Sequence, residues 1–495
     1  MHPGVDLSNF SDRLLAAGRP SDVAVIDGQH RHDHAELASA AARVAGGLLA
    51  AGVRPGASIA VVGSNSFFLI AAYLAAMKLG VAVPLSERTP VPELGLQVSW
   101  AGCAAVLMDR RAQRRLGRAF GDLPVITDAV LSESAQHWPV VPTGPEADAA
   151  LMFTSGTTSR PKAVRITHAN LHANTEAIVE YLGLRSADRM LVILPLHYCF
   201  GASLLHTHLA VGGSVVLCNT LTFPETVVEQ IEAHGCTGLA GVPSSFQLLL
   251  RASSYPTRQL KTLRTVQQAG GRLAPDLIRQ VAEAQPQSRL FVMYGQTEAT
   301  ARLSYLPPER LVDKLGSIGR GIPGVDLRVV DADGVSVEPG QQGEIVARGP
   351  SISPGYLGDP EATAEKFPGG ALRTGDLATV DDEGFIYIVG RSGEFIKSWG
   401  YRVSPQQVEE AALMHSSVAD AAVVGLPDAE AGEAITMAVV PVDGAQLDPA
   451  QLVRFLSDRL PKHMLPQSVH VLDSLPVNAS GKVALAQLRS LLAAE

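Results

Sequence analysis

Leu151-Met-Phe-Thr-Ser-Gly-Thr-Thr-Ser-Arg-Pro-Lys162 is the stretch from which the rest of the chain can be read. Four apolar or β-prone residues predict a strand, which stops at Ser155, Gly156, Thr157, Thr158 and Ser159. A glycine among hydroxyl residues lets backbone N–H and side-chain O–H groups converge on one anion, and Lys162 adds a point charge on a flexible stem. By composition this is a phosphate cradle. It is not the P-loop of common NTPases, because no Gly-Lys-Ser/Thr follows the first glycine at the required spacing.

Outward from this loop, helical and strand patterns alternate. Ala35 to Ala51 carries Leu37, Ala41, Val44, Leu48 and Leu49 on one face and meets Gly52, which predicts a helix with a glycine stop. Ser58 to Val62 reads as a short apolar strand. Ser66 to Leu85 is apolar enough to suggest a membrane span, but Lys78 lies within it and Gly80 divides it into a three-turn helix and a strand. Pro224 opens a helix ending at Gly235, followed by a strand over Cys236 to Val242. This rhythm predicts an α/β fold of parallel sheets covered by helices, with ligands at the carboxyl ends of strands.

From about Val325 glycine and proline become dense, and acidic turns recur at Asp331-Ala-Asp-Gly334 and Asp381-Asp-Glu-Gly384. These predict hairpins in a β-rich subdomain. Beyond Gly390-Arg391 an α+β unit of about 100 residues begins, with a helix over Pro405 to Met414 and a strand over Ala421 to Val424. The expected division is a large domain over 1–390 and a small one over 391–495. A length of 495 residues agrees with more than one core.

Composition excludes several classes. A net charge of −9 and the absence of a polybasic block argue against nucleic acid or a membrane surface as partner. The four cysteines, Cys103, Cys199, Cys218 and Cys236, have no paired spacing and read as thiols of a reducing compartment. With no signal-peptide pattern at the start, a cytoplasmic enzyme is expected.

Further motifs add chemistry. Tyr294-Gly-Gln-Thr-Glu298 follows an apolar strand and ends in a hydroxyl and a carboxylate, suited to phosphate and Mg²⁺ respectively. Thr374-Gly-Asp376 reads as a turn whose carboxylate can accept ribose hydroxyls. Leu475-Pro-Val-Asn-Ala-Ser-Gly-Lys482 places a lysine in a glycine-containing loop. Each alone is an ordinary cap, turn or solvated charge. In this order they resemble the adenylate-forming superfamily of acyl- and aryl-CoA synthetases, peptide-synthetase adenylation domains and firefly-type luciferases. Asn65, Leu194-Pro-Leu-His197, Ala269-Gly-Gly-Arg272, Gly343 to Gly349, Gly355-Tyr-Leu357, Gly390 to Gly400 and Leu460 to Pro466 extend the resemblance over nearly the whole chain.

The resemblance implies ATP, Mg²⁺ and CoA (or the phosphopantetheine of a carrier protein) as cofactors. A carboxylic acid is activated to an acyl-adenylate, then passed to a thiol. Thr154 to Lys162, including Ser155 to Ser159, would hold the β- and γ-phosphates. Gly270, Gly271 and Arg272 would line the adenine beside Tyr294, Gly295 and Gln296. Thr297 would meet the α-phosphate, Glu298 the metal, and Asp376 and Arg391 the ribose. Lys482 would serve the substrate carboxylate and α-phosphate. In the family the small domain is mobile and rotates about a hinge, here Gly393, to bring in the loop of Lys397 and Gly400 for thioester formation. Ser159 and Ala163 stand where the family usually has glycine, and Ala484-Leu485 replaces the usual Asp-Arg after the lysine.

For the acid, His197, Tyr198, Phe200, Leu204, Phe246, Gly270 and Met293 are the expected lining, with His197 or Tyr198 as gate. Amino-acid-activating relatives place an aspartate where this chain has Gly201, and an ammonium unpaired in such a pocket would be costly. A small, medium-length or aryl acid is expected, not an α-amino acid. The competing readings are a stand-alone enzyme loading an acyl or peptidyl carrier protein, a luciferase-type oxygenase, and a non-catalytic nucleotide-binding relative. The charged residues Lys162, Glu298, Asp376, Arg391 and Lys482, present together, speak against the last.

Overall fold

The computed structural model describes residues 8–134, 136–154, 162–391, 393, 395–428, 430–442, 444–477 and 483–493. Two units are present. One runs to Leu327 and adds Val346–Arg373; the other comprises Arg328–Ile345 and the chain from Thr374 onward.

The first unit holds two sheets. In the seven-stranded sheet the order is Gly355–Tyr356, Lys162–Thr167, Asp148–Thr154, Val81–Leu85, Ser58–Val62, Cys103–Met108, Val125–Ile126. Its central strands pair in parallel, while Asp148–Thr154 and Lys162–Thr167 form an antiparallel hairpin. In the nine-stranded sheet the strands Arg289–Tyr294, Thr265–Gln268, Gly238–Gly241, Arg189–Val192, Ser214–Leu217 and Val23–Asp27 run parallel in that order, with antiparallel strands at both ends. These central strands are buried along nearly their whole length, as expected of a parallel sheet covered on both faces.

Local chemistry sets the element ends. The helix His34–Ala50 begins in a capping box, with Asp33 accepting from the Glu36 amide and Glu36 from the Asp33 amide. The helix Glu225–His234 ends at Gly235 in the left-handed conformation. Its last carbonyls claim the Cys236 amide (2.9 Å), so the expected strand starts two residues later, at Gly238, and Val242 already caps the next helix. Phe67–Leu79 and Val81–Leu85 are the helix and strand expected on either side of Gly80. A side chain at Gly80 would run into the Ala57 backbone, which explains the glycine. Lys78 is only 3% exposed and its ammonium lies 2.7 Å from Asp12, which also accepts from the Trp138 indole at 2.6 Å. Such a pair is costly to break from one side, about 3–5 kcal/mol.

The second unit carries most of a four-stranded sheet, Asp326–Val330, Gln342–Arg348, Leu372–Val380 and Ile386–Arg391, the last two of which pair antiparallel. Its five-stranded sheet joins Tyr401–Val403, Ile396–Ser398, Gly432–Pro441, Val418–Asp428 and Ser468–Val471. The helices Pro405–Leu413 and Pro449–Ser457 pack on one core and Leu485–Leu492 on another. The expected short strand at Ala421 extends over Val418–Asp428 because Gly432–Pro441 pairs with it throughout. Thr374-Gly-Asp376 lies inside a strand instead of in a turn. Gly375 takes φ +81° there, and the pairing of Asp376 with Arg391 continues the ladder. Among the described residues no helix is long and apolar enough to cross a membrane.

Candidate active site

Beyond the strand Arg289–Tyr294 the chain turns sharply. A Cβ at Gly295 would strike the Ala301 carbonyl, so only glycine lets the two segments pass. A short 3₁₀ turn over Thr297–Ala299 follows, and Thr300 is held at φ +67° with its hydroxyl donating to the Ser351 carbonyl at 2.7 Å. A β-branched residue at positive φ is strained by about 1–3 kcal/mol, a cost found most often at functional sites. This turn presents Glu298, 9% exposed, with its carbonyl accepting from the Ser353 amide.

The Glu298 carboxylate accepts a hydrogen bond from the Tyr356 hydroxyl at 2.8 Å. The Lys162 ammonium sits 5.1 Å from the centre of the same ring. Burial and the neighbouring carboxylate push the Tyr356 phenol above its ordinary range, which keeps it a donor. Among the described residues no lysine or arginine forms an ion pair with Glu298. No group of three or more His, Cys, Asp or Glu gathers elsewhere in them. A single buried carboxylate with free lone pairs suits Mg²⁺, which binds one or two protein carboxylates and takes its other oxygens from water and phosphates. Tyr356 joins Glu298 to Lys162 although the sequence reading gave it no role. Thr154 faces Lys162 across the hairpin, its hydroxyl 3.5 Å from the Lys162 carbonyl.

Thr297 donates to the Cys199 sulfur at 3.5 Å, at the start of the helix Cys199–Ala210. Asn65 fixes the approach to that helix by bonding the Leu194 carbonyl and the Leu196 amide, both at 2.9 Å. His197 follows, its ring 4.3 Å from that of Tyr198 and its buried Nε2 without a hydrogen-bond partner among the described residues. Burial, aided by the Arg88 charge, lowers its pKa to about 4. It is therefore neutral at physiological pH.

Gly270 takes φ +84°, and a side chain there would press on Val242 and approach the Phe200 ring. Gln268 donates to the Gly271 carbonyl at 2.7 Å and holds the double-glycine turn. Phe246 and Leu204 are wholly buried, and Phe200 and Met293 nearly so. At Gly201 a Cβ would collide with the Pro195 carbonyl, so no aspartate fits there without moving the backbone.

Two polar side chains overlooked in the sequence lie among these apolar ones. Arg302 is 1% exposed; its Nη1 donates to Ser203 (3.1 Å), its Nε to the Met293 sulfur (3.4 Å), and its guanidinium carbon lies 4.1 Å from the Phe200 ring centre. Gln267, 0% exposed, lies on the strand beside Arg289–Tyr294. A signal was available: an arginine four positions after Glu298, and two glutamines closing a strand that should be apolar.

In the second unit, Arg391 Nε donates to the Asp376 carboxylate at 2.9 Å, so the two expected ribose residues pair side by side on neighbouring strands. Gly393 has open space where a Cβ would stand. Lys397 is exposed, its amide donating to Glu433 at 2.6 Å, and Gly400 has φ +79°. Ser155, Gly156, Thr157, Thr158, Ser159 and Lys482 lie outside the described residues.

The buried histidines give one prediction. His206 shares a hydrogen bond with the Tyr73 hydroxyl (3.1 Å), and burial lowers its pKa to about 3; that of His208 falls to about 4. The unfolded chain, with histidine near 6.5, binds these protons first. Stability is therefore full above pH 6.5 and is lost as pH falls toward 4, by about 1.4 kcal/mol for each pKa unit. Melting temperature should be flat from pH 8 to 7 and drop below 6.5, with a shallower slope in His206→Gln. Parallel curves for the two proteins would show that His206 does not contribute.

This arrangement matches known proteins along its length. The model of the AMP-binding enzyme family matches residues 14–357, and that of the AMP-binding enzyme C-terminal domain residues 407–482. A feruloyl-CoA synthase of an Amycolatopsis species is 33% identical over 473 residues, 95% of this chain and 96% of that one. A 2-succinylbenzoate–CoA ligase of Bacillus subtilis is 30% identical over 475 residues, 95% of each. Among solved structures, the o-succinylbenzoate CoA synthetase of Bacillus subtilis in complex with its acyl-adenylate intermediate superposes with a TM-score of 0.87 at 30% identity, covering 97% of this chain and 98% of that one. ATP-bound MatB of Rhodopseudomonas palustris gives 0.89 at 27% identity, with 98% of each chain covered.

The chain belongs to the AMP-binding enzyme family, the adenylate-forming, acyl-CoA synthetase-like enzymes. It is an AMP-forming acid–thiol ligase that uses ATP, Mg²⁺ and CoA. A carboxylic acid becomes an acyl-adenylate with release of pyrophosphate, then an acyl thioester with release of AMP.

Proposed function

We propose that this ligase activates a small or medium-length acid with an aryl or compact apolar body, and that the residues above divide the work as follows. Thr154 to Lys162 binds the β- and γ-phosphates. Gly270, Gly271, Arg272, Tyr294, Gly295 and Gln296 receive the adenine, Thr297 the α-phosphate, and Asp376 with Arg391 the ribose hydroxyls. Glu298 holds Mg²⁺, and Lys482 bridges the acid and the α-phosphate. The part of the chain beyond residue 390 turns about Gly393 to present Lys397 and Gly400 for the thiol step.

The Lys162–Tyr356–Glu298 alignment carries this reading. A carboxylate attacking a phosphate meets like charge, so the barrier is electrostatic and orientational, and no general base is needed. Mg²⁺, when bound, offsets charge on the phosphate oxygens. Lys162 adds a cation beside it, and Tyr356 orients the Glu298 carboxylate. A neutral His197 agrees with a gate over the acid and not with a charged or basic role. The filled space at Gly201 supports exclusion of α-amino acids, because the aspartate that would pair an ammonium has no room. Cysteines that form no disulfide among the described residues fit a cytoplasmic enzyme.

The test is pyrophosphate–ATP exchange with a panel of acids, followed by mass spectrometry of AMP and thioester with CoA or a holo-carrier protein as acceptor. Exchange with aryl or short aliphatic acids and thioester on CoA are expected. Exchange only with amino acids, or transfer only to the carrier, would overturn the assignment. Tyr356→Phe should lower exchange about tenfold and raise the Mg²⁺ requirement, since a hydrogen bond to a charged group is lost. An unchanged rate and Mg²⁺ requirement would remove Tyr356 from the site.

A further inference from the structure

Arg302 carries a positive charge into the interior of the first unit and is the largest fully buried side chain among the described residues. Among the described residues no carboxylate forms an ion pair with it. Its Nη2 has no hydrogen-bond partner there, and its other contacts are the Ser203 and Tyr181 hydroxyls, one thioether and one aromatic face. Burial lowers its pKa, but a guanidinium stays protonated in proteins. A buried charge is ordinarily paired, and buried polar atoms ordinarily have partners.

Gln267 repeats the anomaly. Neither its amide nitrogen nor its amide oxygen has a partner among the described residues. It pairs in register with Phe291, so it shares a sheet face with Phe291 and, two residues on, Met293. Tyr181 marks that face, its hydroxyl bonded to the Met293 sulfur at 3.1 Å. The guanidinium reaches the same sulfur, its Nε 3.4 Å away. The guanidinium thus borders Met293 and Phe200, side chains assigned to the acid, and the unsatisfied Gln267 lies on the Met293 face of the sheet. A structural role for Arg302 would leave both anomalies unexplained, whereas a ligand with an anionic end accounts for both. The guanidinium fork matches a carboxylate, and the Gln267 amide adds a donor.

We propose that the acid activated by this enzyme carries a second carboxylate, distal to the one adenylated and read by Arg302 and Gln267. This inference rests on the pocket assigned above and narrows its substrate to a dicarboxylic acid with an apolar or aryl middle. One carboxylate is adenylated, and the other enters no covalent step.

The experiment is pyrophosphate–ATP exchange by the full-length protein with matched acids. These are α,ω-dicarboxylic acids of three to eight carbons against monocarboxylic acids of equal length, and terephthalic against benzoic acid. The expected result is a diacid whose kcat/KM exceeds that of its matched monoacid about 10²-fold or more, because a site built around polar groups rejects the analogue lacking their partner. In Arg302→Met this ratio should collapse to about threefold or less. The loss should fall on the diacid, with monoacid turnover kept or raised. Gln267→Leu should reduce the ratio partially. Wild-type enzyme that prefers monoacids throughout overturns the proposal even if the Arg302 variant fails to fold. An equal loss on both classes in a folded Arg302→Met also overturns it and makes the arginine structural. Absence of exchange with every acid overturns the pocket assignment itself.

Discussion

Lys482→Ala should lower acyl-adenylate formation by about 10²–10³-fold while nucleotide binding changes little. The reacting partners are both anionic, and a cation aimed at the charge developing between them is worth more in the transition state than in the ground state. The loss therefore falls on turnover and not on the KM for ATP. The chain enters and leaves the Lys482 segment at fixed points. Val477 and Val483 pair as an antiparallel bridge, the Ala484 amide donates to the Pro476 carbonyl at 2.8 Å, and Leu475 and Leu488 are buried in one cluster. A substitution at 482 leaves these anchors untouched, so the folded state should persist. Pyrophosphate exchange near the wild-type rate in this variant would refute the role given to the lysine.

Gly393→Pro should separate the two half-reactions. Adenylation stays within about threefold of wild type, while thioester formation falls about 10²-fold, because proline fixes φ at a position asked to rotate. Gly393 lies outside the left-handed region, and none of the described residues stands within 4 Å of where a Cβ would be. Thioester formation lost with adenylation kept then belongs to the change of conformation and not to the fold. Release of pyrophosphate without thioester is the signature to measure; thioester output equal to wild type would exclude a hinge at this residue.

Much of the fold was legible because it is written in local signals. The Asp33–Glu36 capping box, the glycine stop at Gly235 and the apolar strand Ser58–Val62 each depend on a few neighbouring residues. The misjudged boundaries have two causes. Cys236 was claimed by the end of the helix before it, whereas Thr374–Asp376 went into a strand and Val418–Asp428 grew because distant partners supplied the hydrogen bonds. A backbone donor takes whichever acceptor the fold brings to it, and sequence neighbours do not reveal that choice.

The site divides in the same way. Lys162, Thr297, Glu298, Asp376 and Arg391 stood out because their motifs put polar groups beside glycine at strand ends. Tyr356, Gln267 and Arg302 did not, since tyrosine, glutamine and arginine are common in exposed loops and only their surroundings make them unusual. By itself the sequence determined the alternation of helices and strands and the family, both of which depend on residue type and spacing. Only the tertiary structure decided that Tyr356 joins Lys162 to Glu298 and that a guanidinium is buried without a counter-ion among the described residues. Burial and pairing arise from residues far apart in the chain, and it is the removal of water that turns an ordinary arginine into a recognition element.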